Sequence, residues 1–93
     1  MELPVNYDEI SPSERRKVRL EYMKLQDKLC YYCKTKLFGD PSKEVQDKYI
    51  NTKLFPDGFF NYPVHLHHNH DTGMTIGVVH DRCNAVLFQY HGE

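Results

Sequence analysis

The 93-residue chain has no tryptophan, only three cysteines and a net charge of just −1 at pH 7. An odd number of cysteines without a secretory context argues against a disulfide framework. Long hydrophobic runs are also lacking: the uncharged segment 58–69 contains histidine, asparagine and proline and is too short to cross a bilayer. With 40% hydrophobic and 27% charged residues, the composition is that of a globular protein rather than a disordered or membrane-embedded one.

Repeats, low-complexity tracts and linkers are absent as well, so we expect one domain over 1–93. The first residues lack the basic-then-apolar order of a secretory signal. This predicts a cytoplasmic location (the host cytoplasm if a phage encodes the chain) and no membrane partner. A chain this short buries only about two-thirds of its unfolded surface, so its core needs a further stabilising element.

Two pairs of potential metal ligands with identical spacing are candidates for this stabilising element. Two residues separate Cys30 from Cys33, and two residues separate His80 from Cys83. Such a spacing lets a tight turn point both donors at one ion, and three thiolates with one imidazole form a tetrahedral zinc site. We therefore predict a structural Zn²⁺ held by these four residues. Redox chemistry at the first pair, or simple burial of the thiols, is the alternative, but no thioredoxin-like pattern surrounds the pair.

The small net charge conceals an uneven distribution. Segment 14–36 has eight basic and three acidic residues, a charge of +5, and the rest of the chain carries −6. Such asymmetry is typical of a protein with a polyanionic partner, although a solvated helix face has the same pattern. The residues that we expect to contact nucleic acid are Arg15, Arg16, Arg19, Lys34 and Lys36.

A basic helix is predicted over 11–28. A capping box and a proline at the first helical position mark its start, at Ser11, Pro12 and Glu14. An apolar stripe follows at steps of four, three and four, formed by Val18, Tyr22, Leu25 and Leu29. The residues before the helix, 1–10, are expected to form an arm with Tyr7 and Ile10 as anchors.

The zinc knuckle, 29–36, is followed by an insert over 37–63 without regular periodicity. Asp40 and Pro41 are expected to cap a short helix that runs through Tyr49. The aromatic residues of the insert are predicted to pack together rather than to form a base-stacking platform. They are Phe55, Phe59, Phe60 and Tyr62.

The segment 64–90 is predicted to fold as strand, turn, strand and helix. Alternating and β-branched residues indicate the strands, and a Thr-Gly pair indicates the turn. In the helix, Val86 and Tyr90 are expected to face inward. The predicted bounds are 64–68 and 75–79 for the strands, 71–74 for the turn, and 81 to about 89 for the helix.

Histidines are crowded at the end of the first of these strands, at His65, His67, His68 and His70. Crowded imidazoles suppress one another's protonation and favour metal ions or anionic ligands. Asn84 directly follows a predicted zinc ligand, so zinc would fix the helix start that turns this side chain toward the histidines. A second zinc site, or surface histidines without a role, is the alternative. His65 and His91 are expected to be structural or to contact phosphate.

These residues resemble a known family. The stretches His67–Gly73 and Gly77–Asn84, with the earlier cysteine pair, are similar to the ββα-metal core of the HNH (His-Me finger) endonucleases, in particular the group resembling phage recombination endonuclease VII. The resemblance covers 29–36 and 66–87, under half of the chain. It implies these roles: general base for His68, catalytic-metal ligands for His67 and Asn84, support of the scissile phosphate for His70, and structural zinc ligands for Cys30, Cys33, His80 and Cys83.

Three positions depart from the family pattern. His80 replaces a cysteine, which zinc tolerates, and Ile76 replaces an arginine, which removes a phosphate contact. His67 replaces an aspartate, so the expected ligands of the catalytic metal carry no charge. Imidazole suits borderline metals, so we expect Mn²⁺, Co²⁺ or Ni²⁺ to support activity better than Mg²⁺. A carboxylate from Asp71 or Asp81 on the metal would contradict this expectation.

The sequence thus predicts a small zinc-stabilised α+β domain with a treble-clef-like ββα-metal core and an N-terminal basic helix. We expect a metal-dependent DNA endonuclease of low sequence specificity, a phosphodiester hydrolase that nicks one strand or, as a homodimer, cuts both. A larger phage nucleic-acid-processing complex is a second expected partner. The alternatives are a non-catalytic zinc module that binds nucleic acid or protein, and a metal-storage or metal-sensing protein.

Overall fold

A computed structural model describes residues 2–93 and has an α+β fold with a two-stranded sheet and three helices. The order strand, turn, strand and helix in the last third of the chain confirms the sequence prediction. The helices and strands are α1 (Pro12–Leu25), α2 (Lys43–Gln46), β1 (Val64–His68), β2 (Thr75–His80) and α3 (Asp81–His91). Among the described residues, no helix combines the length and the apolar character that a membrane crossing requires.

Helix α1 begins as predicted, with the Ser11 hydroxyl accepting from the Glu14 N–H and the Glu14 carboxylate accepting from the Ser11 N–H. It ends at Leu25, three residues before the expected Lys28. The reason is local, because Asp27 and Lys28 both have left-handed φ values, 53° and 61°, that no α-helix continues through. As a result the apolar stripe is only half used: Val18 and Tyr22 are buried, whereas Leu25 and Leu29 are exposed.

The sheet is an antiparallel hairpin in which Val64 pairs with His80 and Leu66 with Val78. Asn69 organises its turn, since the Asn69 side chain accepts from the N–H groups of Asp71 and Thr72. Both α1 and α3 pack against the sheet, which places the core between the two helices and the hairpin. The core residues are Val18, Tyr22, Cys30, Leu37, Val45, Ile50, Leu66, Val78, Val79, Cys83, Ala85, Val86 and Leu87.

The N-terminal arm binds along the start of β2. The Thr75 N–H donates to the Val5 carbonyl at 2.9 Å, and the Tyr7 N–H donates to the Gly73 carbonyl at 2.7 Å. Tyr7 and Ile10 are partly buried against the core, as the anchors were expected to be. The arm thereby brings Tyr7 to the end of the hairpin that carries the histidines.

The insert differs from its prediction in its helix. Ser42, not Asp40 or Pro41, is the N-cap of α2, because the Ser42 hydroxyl accepts from the Val45 N–H, and the helix ends at Gln46 rather than Tyr49. Among the aromatic residues, Phe55, Phe59 and Phe60 pack with one another, as expected for packing residues, whereas Tyr62 is exposed.

Helix α3 matches its predicted start and continues to His91. Val86 is fully buried, as expected, but Tyr90 is 46% exposed and lies outside the core. The Tyr90 hydroxyl donates to the Tyr49 carbonyl at 2.6 Å, which holds the ring over the insert instead.

Candidate functional site

Four predicted metal ligands come together at one end of the sheet. Cys30 and Cys33 lie in the loop after α1, His80 ends β2, and Cys83 lies in the first turn of α3. One donor atom from each residue lies within 4.8 Å of the other three. Three cysteine sulfurs and one imidazole nitrogen match the donor preferences of Zn²⁺, so this Cys3His cluster can hold a structural metal such as zinc.

The surroundings of His80 prepare its ring for a metal ion. The Nε2–H donates to the Lys36 carbonyl at 2.8 Å, and in the neutral ring this leaves Nδ1 without a proton. Burial opposes protonation of the ring, but the Lys36 carbonyl and the neighbouring cysteines outweigh it and raise the pKa of His80, so a metal ion at Nδ1 competes with a proton. That Nδ1 atom lies 3.5 Å from the Sγ atoms of both Cys33 and Cys83. A backbone carbonyl on the second ring nitrogen is the usual way in which proteins fix the tautomer of a metal-binding histidine.

Two of the three thiols of the Cys3His cluster are poised for deprotonation. A hydrogen bond from the Cys83 thiol lowers the pKa of Cys30 to about 4. Burial opposes ionisation of Cys33, but hydrogen bonds from Thr35 outweigh it and lower the pKa of that thiol. The hydrogen bond to Cys30, together with burial, raises the pKa of Cys83. Since the thiolate is the metal-binding form, the surroundings favour the state that zinc requires at Cys30 and Cys33 but not at Cys83.

The strand pairing shifts between the two histidines at the end of β1. His67 pairs with Gly77, whereas His68 pairs with Thr75, so the extra residue, Ile76, lies in β2. Adjacent side chains of a regular strand point to opposite faces. The two histidines accordingly have different surroundings, because His67 is buried and His68 is only partly buried.

His67 is only 2% exposed, and its Nε2 atom has no hydrogen-bond partner. The nearest charged group is the Glu93 carboxylate, with Oε1 at 3.7 Å from Nε2, beyond hydrogen-bond distance. Burial lowers the pKa of His67, against the opposite influence of the Asn84 side chain and Glu93. An unpartnered buried nitrogen costs about 1–3 kcal/mol, which a bound cation would offset.

His68 belongs to a stack of three side chains. Its ring lies parallel to the Tyr7 ring, with centroids 4.0 Å apart and an interplanar angle of 7°. The Arg15 guanidinium lies over the Tyr7 ring at 3.8 Å. Because both groups contact the Tyr7 ring, the His68 ring and the Arg15 guanidinium must lie on its opposite faces. Burial, and the nearby His70, lower the pKa of His68, so its ring is neutral at pH 7.

A cavity of about 610 Å³ opens beside these histidines, a volume typical of sites for small organic molecules. Three candidate catalytic residues line it, His68, His70 and Asn84. Aromatic side chains form much of the remaining wall, from Phe55, Phe59, Tyr62 and Phe88. Arg19 adds a positive charge at the same cavity.

Comparisons with protein-family models, with curated proteins and with solved structures found no match.

The predicted nucleic-acid contacts divide into two groups. Arg19 lines the cavity, and Arg15 is occupied by Tyr7, since it donates to the Tyr7 carbonyl in addition to covering the ring. The other three, Arg16, Lys34 and Lys36, are exposed, and the two lysines lie on the knuckle rather than in the cavity wall. The structure therefore brings only part of the basic segment to the histidines.

Two residues at the site were not predicted. Tyr7 was expected only as an anchor, and Glu93 was given no role. A signal for Glu93 exists in the sequence, because Gly92 directly after a helix predicts a left-handed end that turns the next residue back toward the helix. Of the two carboxylates named in the sequence analysis, Asp81 accepts from the Arg82 N–H at the start of α3, and Asp71 is exposed in the turn.

The two histidines of uncertain role have different surroundings. His65 accepts at Nδ1 from the Asn84 amide at 3.2 Å and packs against the edge of Phe59. His91 is exposed, and its Nε2 lies 3.4 Å from the Tyr32 hydroxyl. The first contact orients Asn84, so His65 is part of the candidate site, whereas His91 is outside the cavity wall.

Proposed function

We propose that the chain is a divalent-metal-dependent DNA endonuclease of the HNH (His-Me finger) type, with a treble-clef-like ββα-metal core. The different environments of His67 and His68 are the observation that carries the proposal. His67 is buried with an unpartnered nitrogen, and His68 lies at the edge of a cavity. A metal ligand needs the first environment and a general base needs the second.

His68 takes a proton from the water that attacks the phosphodiester. Its lowered pKa supports this role, because a neutral ring is the form that accepts a proton. The stack with Tyr7 restricts the rotation of the ring, so the accepting nitrogen keeps one direction. Positioned bases of this kind typically contribute about 10²–10⁴ to the rate.

His67 and Asn84 would hold the divalent cation. The unpartnered Nε2 of His67, with the Asn84 side chain beside it, supports the fit of such an ion. When bound, the cation supplies positive charge that stabilises the leaving 3′ oxygen. A Cys3His zinc in turn fixes the first turn of α3, and so the position from which Asn84 reaches the site.

The cavity wall supplies the remaining contacts to DNA. His70 and Arg19 offer N–H donors to the phosphate oxygens, and the aromatic wall offers apolar surface to the adjoining nucleoside. The exposed residues Arg16, Lys34 and Lys36 contribute charge for contacts to more distant phosphates. Phosphate contacts position a protein without reading sequence, so low sequence specificity follows.

The test is conversion of supercoiled plasmid by the zinc-loaded protein in Mn²⁺, Co²⁺, Ni²⁺ and Mg²⁺. The wild type is compared with His68→Ala, and with His91→Ala as the matched control, since His91 is an exposed histidine outside the cavity wall. We expect nicking by the wild type and the control, and a rate at least about 10²-fold lower for His68→Ala. Equal zinc content in the three proteins excludes misfolding as the cause.

The non-catalytic zinc module remains the second candidate. If no protein cuts DNA in any of the four metals while all three bind it equally, the endonuclease proposal fails and the module is favoured. If the control and His68→Ala lose activity together, the assignment of the base is wrong.

A further inference from the structure

The unpartnered nitrogen of His67 faces one carboxylate. Nε2 is buried without a hydrogen bond, and the Oε1 atom of Glu93 is 3.7 Å away. That separation is too long for a hydrogen bond. It fits two ligands of one ion, because donor atoms about 2.0–2.2 Å from a shared metal lie roughly 3–4 Å apart.

The end of α3 fixes the position of Glu93. Gly92 has a φ of 71°, and its N–H donates to the Phe88 carbonyl at 3.1 Å. The following N–H, that of Glu93, donates to the Leu87 carbonyl at 3.0 Å. These bonds form a left-handed helix end that turns the chain back over the last turn. The backbone therefore holds the carboxylate at His67, and the side chain remains half exposed for exchange with solvent.

Without Glu93, the donor groups around the His67 Nε2 atom carry no negative charge. His67 and Asn84 are neutral donors, and a divalent cation between them would keep its full charge in a partly buried place. Glu93 lines the same cavity as Asn84. A carboxylate would balance half of the cation's charge and add the hard oxygen donor that Mg²⁺ and Mn²⁺ prefer.

We propose that Glu93 is a ligand of a second divalent cation, held with His67 and Asn84 and separate from the Cys3His cluster. The function of that cation rests on the proposed endonuclease, but its binding does not. The inference also changes the expected metal preference, since a carboxylate in the site makes Mg²⁺ and Mn²⁺ suitable and reduces the advantage of Co²⁺ and Ni²⁺.

Mn²⁺ binding to the zinc-loaded protein tests the proposal without any cleavage reaction. The free Mn²⁺ is followed by its paramagnetic resonance signal during a titration of the wild type, Glu93→Gln, His67→Ala and Glu44→Gln. Glu44→Gln is the matched control, because Glu44 is an exposed glutamate in α2 outside the cavity wall. We expect Kd to rise at least about tenfold for Glu93→Gln and for His67→Ala, and less than about twofold for the control. Zinc content and Tm of Glu93→Gln should equal those of the wild type, since its side chain is half exposed.

The outcomes separate this inference from the proposed function. Equal Mn²⁺ affinity of Glu93→Gln and the wild type, or no Mn²⁺ binding by the zinc-loaded wild type, would overturn the inference. If Mn²⁺ binding depends on Glu93 but the wild type leaves plasmid uncut, the ligand assignment stands and the endonuclease proposal fails.

Discussion

The Cys3His cluster and the histidine site share a helix but differ in how completely their polar atoms are satisfied. Cys83 and Asn84 are neighbours in α3, and the first belongs to the cluster while the second faces the histidines. In the cluster, a backbone carbonyl holds His80 and a hydroxyl holds Cys33. At the histidine site, His67 has a nitrogen without a partner and a cavity lies alongside. A closed, fully supported donor set is typical of structural metals, and an open one of metals that meet a substrate.

Removing the metal from the Cys3His cluster is expected to have the largest effect. Structural zinc binding, about 10–16 kcal/mol in small domains, is as large as the whole stability of a typical domain, about 5–15 kcal/mol. Chelation, or Cys83→Ala, should therefore abolish the cooperative melting transition seen by circular dichroism. Zinc added back should restore it after chelation.

A substitution at the histidine site, by contrast, should leave the zinc site and the fold intact. His68→Ala should keep its zinc and a cooperative melt, because the side chain is only partly buried. A chelated protein that melts like the untreated one would show that the cluster is not structural.

The parts of the fold that were predictable depend on neighbours in sequence. The two ligand pairs have local spacings, and the capping box at Ser11 is confined to four residues, so both were recognised. The early end of α1 was missed because the left-handed φ values of Asp27 and Lys28 break a pattern whose apolar spacing continues.

Contacts between distant parts of the chain were not predictable in the same way. Tyr7 reaches His68 only because the arm pairs with β2, and Glu93 reaches His67 only through the end of α3. No periodicity encodes either contact. The roles of the histidines in catalysis stay a prediction, since they rest on the resemblance to HNH endonucleases and on a geometry that is compatible with it.

Gly77 lies between the knuckle that carries two ligands of the Cys3His cluster and the strand that carries the histidine site. We expect Gly77→Ala to have the second largest effect on stability and activity. A Cβ atom there would lie 2.7 Å from the Gln26 Oε1 and 3.1 Å from the Tyr31 ring. Tyr31 belongs to the knuckle, and Gly77 itself pairs with His67. Overpacking typically costs about 1–3 kcal/mol, so we expect Tm to fall by roughly 5–15 °C and DNA cleavage to fall with it.

Gly39→Ala is the control for this substitution. The nearest atom to its added Cβ would be the Lys36 carbonyl oxygen at 3.6 Å, an ordinary contact. Its Tm should change by no more than a few degrees. If Gly77→Ala melts like Gly39→Ala, the knuckle and β2 are less tightly joined than the close approach indicates.

The smallest expected effect concerns Tyr7 and the pH dependence of cleavage. A base must be neutral to act, and burial lowers the pKa of His68, with His70 and His67 acting in the same direction and Asp8 against them. The wild-type rate should therefore rise with pH, with the midpoint of the rise below pH 6.5, and reach a plateau above it. Tyr7→Ala removes both the cover and the stack, so the midpoint should move up toward 6.5 and the plateau rate should fall by about two- to tenfold.

Single-turnover rates over about pH 4.5 to 8.5 measure both changes. Tyr7→Phe keeps the aromatic ring, so its profile should match the wild type, and a profile like that of Tyr7→Ala would assign the effect to the hydroxyl instead.

Protonation of His67 would also slow cleavage, by releasing the metal ion. Mn²⁺ binding followed over the same pH range separates the two, because a Tyr7 substitution that acts through His68 shifts the midpoint of the rate and leaves the midpoint of binding unchanged. A shift of both midpoints together would mean that the arm stabilises the whole histidine site rather than one ring.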